Sequence, residues 1–154
     1  MEQGTSERSE LLSPFLGDWW AEGTSYGGDD QSPDKPHAGA SPWRSTHTAR
    51  WHSGGYFLVQ DERANGPFDT LMVIGWDSEA ERFFARSFEN HGFSRDYTVT
   101  FDGPTVTLDG GHERARYTFD DAGDTQTIAW QWRRGNDWLP LCDRVAHRVD
   151  ARPA

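Results

Sequence analysis

The sequence predicts an all-β domain: an up-and-down antiparallel barrel of about ten strands, preceded by a short N-terminal helix. Three observations lead there. Short runs of alternating apolar and polar residues recur at near-regular spacing, separated by Gly, Asn and Asp turns. Beyond the first segment no helix-period stretch is long enough for a crossover, so successive strands must be antiparallel neighbours. The connections are tight, without long Greek-key returns, which favours a barrel over a sandwich.

Taken in order, residues 1–8 read as a flexible tail, 9–150 as one domain and 151–154 as a second tail. Ser9-Glu-Leu-Leu-Ser-Pro-Phe-Leu16 has the apolar spacing of one or two helical turns, with Ser9 placed to cap them and Gly17 to end them. Strands are expected near 17–26, 43–52, 55–63, 69–77, 82–90, 93–101, 104–109, 111–119, 124–133 and 137–149. Between the first two lies a long loop, 27–42, whose GGDDQSPDKPHAGAS has almost nothing to bury. Such a loop is either disordered or a lid. The remaining turns carry Gly, Asn or Asp, as in Ser53-Gly-Gly55, Asn90-His-Gly92, Asp120-Asp-Ala-Gly123 and Arg134-Gly-Asn-Asp137.

Leu, Ile, Val and Phe make up only 25 of 154 residues, which beside a formal charge of −10 would ordinarily indicate disorder. The aromatics overturn that reading. There are 21 of them against 16 Leu, Ile and Val, and each ring can remove roughly 150–250 Å² from water. The interior must therefore be built from rings. The charge argues against nucleic-acid and anionic-membrane partners. No apolar run is long enough to span a bilayer, and the polar, acidic start is unlike a signal peptide, so a cytoplasmic chain is expected. A single cysteine, Cys142, excludes an intrachain disulfide and multi-cysteine metal sites, and Lys35 is the one lysine among 15 basic residues.

Residues of one parity share a strand face. Trp43, Ser45, His47, Ala49 and Trp51 oppose a polar set, as do Arg95, Tyr97, Val99 and Phe101. The next inward sets are Glu113, Ala115, Tyr117 and Phe119, then Gln126, Ile128, Trp130 and Trp132. In the last strand Leu139, Leu141, Asp143, Val145 and His147 share the other inward parity. Ionisable groups carried on such faces are costly unless paired. Arg95 with Glu113, and Asp143 with a histidine or arginine, can satisfy one another at barrel ends, or converge on a ring-lined cavity for a small molecule. A β-bulge in any strand would exchange the two faces.

The six histidines form no His-x-His or His-x-x-x-His pair on one face, so no metal site is expected. Cys142 reads as a packing residue. Asp143 with His47 or His147 would form an acid–base pair if they met. Trp19-Trp20 and Trp130-x-Trp132 either stack a flat ligand or fill the core, and their indole N–H groups need partners such as Gln126, Glu113 or Asp143.

Leu-Ser-Pro-Phe-Leu-Gly-Asp-Trp-Trp-Ala-Glu-Gly (12–23) resembles the first-strand signature of nitrobindin and its calycin-like relatives. Ala85-Arg-Ser-Phe-Glu-Asn-His-Gly-Phe93, Arg95-Asp-Tyr97 and Trp138-Leu-Pro-Leu-Cys-Asp-Arg144 look more like an uncharacterised bacterial family of small calycin-like, lipocalin-like barrels. The nitrobindin resemblance implies a haem held by a last-strand histidine. Laid on Asp143-Arg144-Val145-Ala146, that run puts Arg144 where the ligand would stand, so no cofactor is expected. The comparison also turns Arg144 inward, against the alternation; a bulge near Pro140 would reconcile the two, and both Asp143 and Arg144 are kept near the pocket.

The expected function is a barrel for a small hydrophobic ligand, with Arg144 or Arg95 holding an anionic end. Its expected lining is Trp43, His47, Trp51, Arg95, Tyr97, Glu113, Tyr117, Trp130, Trp132, Asp143 and Arg144. The alternative is a cyclase, isomerase or hydratase using Asp143 with His47 or His147; haem chemistry at His147 ranks third. Aromatic outer faces would also suit a homodimer.

Overall fold

The computed structural model describes residues 2–66 and 68–149. Helix α1 (Glu2–Leu12) leads through a 3-10 turn (Ser13–Phe15) into ten strands: β1 (Gly17–Ser25), β2 (Ser41–Trp51), β3 (Phe57–Ala64), β4 (Asp69–Asp77), β5 (Arg82–Glu89), β6 (Ser94–Asp102), β7 (Thr105–Asp109), β8 (Glu113–Phe119), β9 (Thr125–Arg134) and β10 (Asp137–Arg148). Each pairs antiparallel with the next, and β1 pairs with β10 to close the barrel. Closure leaves no unpaired edge strand, which suits a chain whose strands are short and whose aliphatic content is low. Among the described residues no helix is long and apolar enough to cross a membrane.

The expected strands match the observed ones to within a few residues. At the N-terminus the structure departs from expectation: α1 begins at Glu2, so Ser9 lies inside the helix and not at its cap. The tail expected at 151–154 lies outside the described residues.

Rings close one end of the barrel, as the composition required. Leu12 and Phe15 enter it and are almost wholly buried. Phe15 packs on Tyr117 and Phe119 with centroids 5.3 and 4.9 Å apart, in tilted and edge-on contact. Trp19 donates its indole N–H to the Phe15 carbonyl at 3.0 Å, tying the first strand to the plug. Trp51, Phe83 and Phe101 pack against the same cluster.

The alternation read from sequence holds on β2, β6, β8 and β9: Ser45, His47, Tyr97, Ala115, Tyr117, Gln126 and Ile128 are buried on the predicted faces. On β10 it holds only as far as Pro140. Pro140 pairs with Gln131 and Cys142 with Trp130, so Leu141 is an extra residue, a bulge. Proline lacks the N–H that a regular ladder uses, and the Leu141 carbonyl instead accepts a hydrogen bond from Tyr26 N–H at 2.8 Å. Beyond the bulge Cys142, Arg144 and Ala146 are buried while Asp143 is exposed. The expected inward placement of Asp143 and His147 is thus corrected: both lie on the outer face, where His147 stacks on Trp20 at 4.5 Å.

The loop after β1 is fastened down. Gln31, buried in an otherwise exposed stretch, donates through Nε2 to the carbonyls of Pro36 (2.8 Å) and Pro140 (2.6 Å) and accepts from the Trp132 indole at 2.8 Å. Arg134 adds bonds to the carbonyls of Gly28 and Gln31.

Candidate functional site

Opposite the aromatic plug the barrel opens into a pocket of about 460 Å³, within the size range usual for small-molecule sites. Eight of the eleven expected residues line it: Trp43, Arg95, Tyr97, Glu113, Tyr117, Trp130, Trp132 and Arg144. Three do not. His47 is buried behind Glu62, Trp51 lies towards the plug, and Asp143 is outside. No acid–base pair between Asp143 and a histidine is therefore assembled inside the barrel.

The walls are rings from neighbouring strands. Trp130 on β9 meets Tyr97 and Tyr117 edge-on, at 5.8 and 6.4 Å. Trp43 on β2 lies under the Arg144 guanidinium at 4.8 Å and gives its indole N–H to Ser45 Oγ at 3.0 Å. The indole partners thus differ from those expected: Phe15, Ser45 and Gln31 serve Trp19, Trp43 and Trp132. At the mouth Phe68 and Phe93 stand half exposed. There Arg95 approaches Glu113 at 3.4 Å, and Glu113 accepts from the Tyr97 hydroxyl at 3.0 Å.

The floor is polar. Arg144 Nη2 donates to Glu62 Oε1 at 3.1 Å and Nη1 to Cys142 Sγ at 3.7 Å. The second oxygen of Glu62 accepts from Ser45 Oγ at 3.0 Å. Burial works against the Arg144 charge, yet Glu62, Tyr117 and Cys142 together hold its pKa above the ordinary arginine value. Burial pushes the Tyr117 phenol up to about 12 and raises Tyr97, beside Glu113, as well, so both remain neutral. The Cys142 thiol is also raised by burial, against the opposing pull of Arg144, which fits a packing role. His47 is held down to about 4, chiefly by burial, although Glu62 attracts its proton. Gln60 Oε1 and Arg144 Nε are buried on the floor without a hydrogen-bond partner, while Gln60 and Trp130 approach the Tyr117 hydroxyl and work weakly against the effect of its burial.

Sequence reasoning missed Glu62 and Gln60. On β3 the polar residues face inward with Leu58, while Phe57 and Val59 face out, inverting the usual pattern. Only the pairing of His47 with Glu62 and Ala49 with Gln60 reveals their position. Met72, Ser87 and Cys142 also line the pocket from strands whose inward faces were unread or reversed.

The fit to a haem can be tested on these side chains. Among the described residues no histidine lines the pocket, and His47, the buried histidine of the interior, stacks on Trp19 away from it. The residues present do not fit a histidine-ligated haem.

The fold and its open-ended cavity define a class: a small closed β-barrel with an interior pocket. No protein-family profile matches the chain, and no curated protein does. Among solved structures, the crystal structure of Rv2717c from M. tuberculosis is similar, with a TM-score of 0.64 and 16% identity over 92% of this chain and 96% of that one. At that identity the likeness establishes the barrel architecture alone.

Proposed function

We propose that the protein binds a small, largely aromatic or apolar molecule in the open end of its barrel, as a calycin-like binding protein. The observation that carries this reading is the pocket itself: a cavity of about 460 Å³ walled by Trp43, Tyr97, Trp130 and Trp132 over a floor whose charges are paired. A core that merely needed filling would close over such space, because voids in a packed interior lose dispersion contacts. The rings instead stand around a cavity, where their faces offer contact area at low entropic cost. The enzymatic alternative loses its support with Asp143 and His147 on the outer surface.

The neutral fluorophore N-phenyl-1-naphthylamine tests the reading. Its emission should rise on titration into the protein, with matching quenching of tryptophan. Thr70→Trp, which adds an indole to a residue lining the pocket, should weaken binding ~10-fold or more, on the scale of 1.4 kcal/mol per decade. Absence of dye binding, or binding untouched by that substitution, would reject the pocket as the site. Native mass spectrometry of the purified protein would then show whether a molecule of matching character is carried along.

A further inference from the structure

We infer that the ligand carries a protonated amine, which meets the Glu113 carboxylate at the pocket mouth, with Glu89 adding to the field, while its aromatic body fills the cavity. The inference rests on the binding reading above and names the charge of the ligand's outer end.

Arg144 is the obvious anchor for an anion, but its charge is already engaged. Glu62 holds it at 3.1 Å with both side chains over nine-tenths buried, and its Nη1 is turned to Cys142. Arg95, the other cation lining the cavity, is half exposed and stands 3.4 Å from Glu113. Carboxylates therefore outnumber cations on the lining, Glu62, Glu89 and Glu113 against Arg95 and Arg144, and the whole chain carries −10. An entering anion is repelled at long range, and a cation is drawn in.

The mouth also offers carboxylate oxygens that a ligand can reach. Glu113 accepts from the Tyr97 hydroxyl at 3.0 Å and approaches Arg95 through Oε2, and Glu89 is fixed to the backbone N–H and ring of His91 through Oε1. Among the described residues the other oxygen of each, Glu113 Oε1 and Glu89 Oε2, accepts no hydrogen bond, and neither is sealed from solvent. The two side chains are 21% and 13% exposed, so each acid is held by its engaged oxygen and open at the other. An ammonium, which can only donate, suits such acceptors. At the mouth it keeps part of its hydration, which spares much of the cost of burying a charge.

The rings point to the same sign of charge. Aromatic faces attract cations and repel anions, and those around the cavity already draw the protein's own: Arg144 lies over Trp43 at 4.8 Å, Arg134 over Trp132 at 5.2 Å and Arg95 over Phe93 at 5.7 Å. Tyr97 and Trp130 line the cavity as well, and among the described residues no guanidinium lies over either.

The test is competition against bound N-phenyl-1-naphthylamine at pH 7.5 by 2-naphthylmethylamine, 2-naphthylmethanol and 2-naphthoate, one ring system with a cationic, a neutral or an anionic end. The amine should compete ~5-fold more tightly than the alcohol, and naphthoate more weakly than the alcohol. Glu113→Gln keeps an oxygen for Tyr97 but removes the charge, and should cut the amine's advantage over the alcohol ~3-fold or more. An amine no better than the alcohol, naphthoate matching or bettering the alcohol, or an advantage unmoved in Glu113→Gln overturns the inference. So does dye displaced by none of the three, which leaves the binding reading intact. Failure of the dye and all three compounds to bind rejects that reading and this inference together. Should Glu113→Gln not fold, Arg95→Gln serves: the side chain is half exposed, and losing the cation beside Glu113 should widen the amine's advantage ~3-fold. An advantage that narrows or stays fixed in Arg95→Gln overturns the assignment.

Discussion

His47 makes acid lability of the fold calculable. Its side chain is 1% exposed, neither ring nitrogen has a hydrogen-bond partner, and Glu62 Oε2 lies 4.0 Å from Nδ1. Burial holds the native imidazole at about 4 against an ordinary value of 6.5, overriding the attraction of Glu62, with Arg144 adding to the depression. Below pH 6.5 the unfolded chain takes up a proton that the native protein refuses. The stabilisation is therefore complete above pH 6.5 and is lost as pH falls towards 4. Over that 2.5-unit interval, at 1.36 kcal/mol per unit, the loss is about 3 kcal/mol, a large part of a small domain's stability. Urea unfolding followed by tryptophan fluorescence at several pH values between 7.5 and 4, for the unaltered protein and His47→Gln, isolates it. Carboxylate contributions are common to both, so the difference between the two curves should open by about 3 kcal/mol on the acid side. Parallel curves would refute the reasoning, because they would mean that His47 takes up its proton in the folded state as readily as in the unfolded.

Two further substitutions follow from the geometry. Gln31→Ala removes one hydrogen bond that braces the long loop internally at Pro36 and two that tie it to Pro140 and Trp132; hydrogen exchange across 28–40 should quicken, with a stability loss of about 1–3 kcal/mol, and unchanged exchange would show that the loop is held by something else. At Gly23 an added Cβ would collide with the Asp143 carbonyl and meet Arg144 Cα at 2.6 Å. Gly23→Ala should therefore force β1 and β10 apart and lower stability by about 1–3 kcal/mol or more, and an unshifted urea midpoint would contradict that packing.

The barrel was legible because its turns are explicit and its strands alternate cleanly. On β2, Trp43, Ser45 and His47 against Arg44, Thr46 and Thr48 leave one choice of inward face. The site was legible only in part, for a physical reason. Its polar floor depends on inversions of the same rule: Gln60 and Glu62 face inward on β3 with polarity that reads as solvent-facing, and their role emerges only from register with Ala49 and His47. On β10, alternation beyond Pro140 points to the wrong side, and only the resemblance of Arg144 to a ligand position pointed to the right one. The loop clamp was invisible in another way. Nothing distinguishes Gln31 from the polar residues around it until its amide is seen between Pro140 and Trp132.

The bulge at Leu141 makes the pocket's chemistry a matter of strand register as well as of residue identity. Were Leu141 drawn into the ladder opposite Trp130, every later residue would move on by one, which would withdraw Cys142 and Arg144 to the surface and swing Asp143 and His147 into the cavity; deleting Leu141 outright would instead leave Cys142 opposite Trp130 and Arg144 opposite Ile128. After such a slip Glu62 would be left without its counter-ion beside a second carboxylate. A one-residue slip of register can thus convert one barrel interior into another without changing a single side chain, and comparison of two such barrels by alternation alone misassigns inward residues wherever their bulges differ.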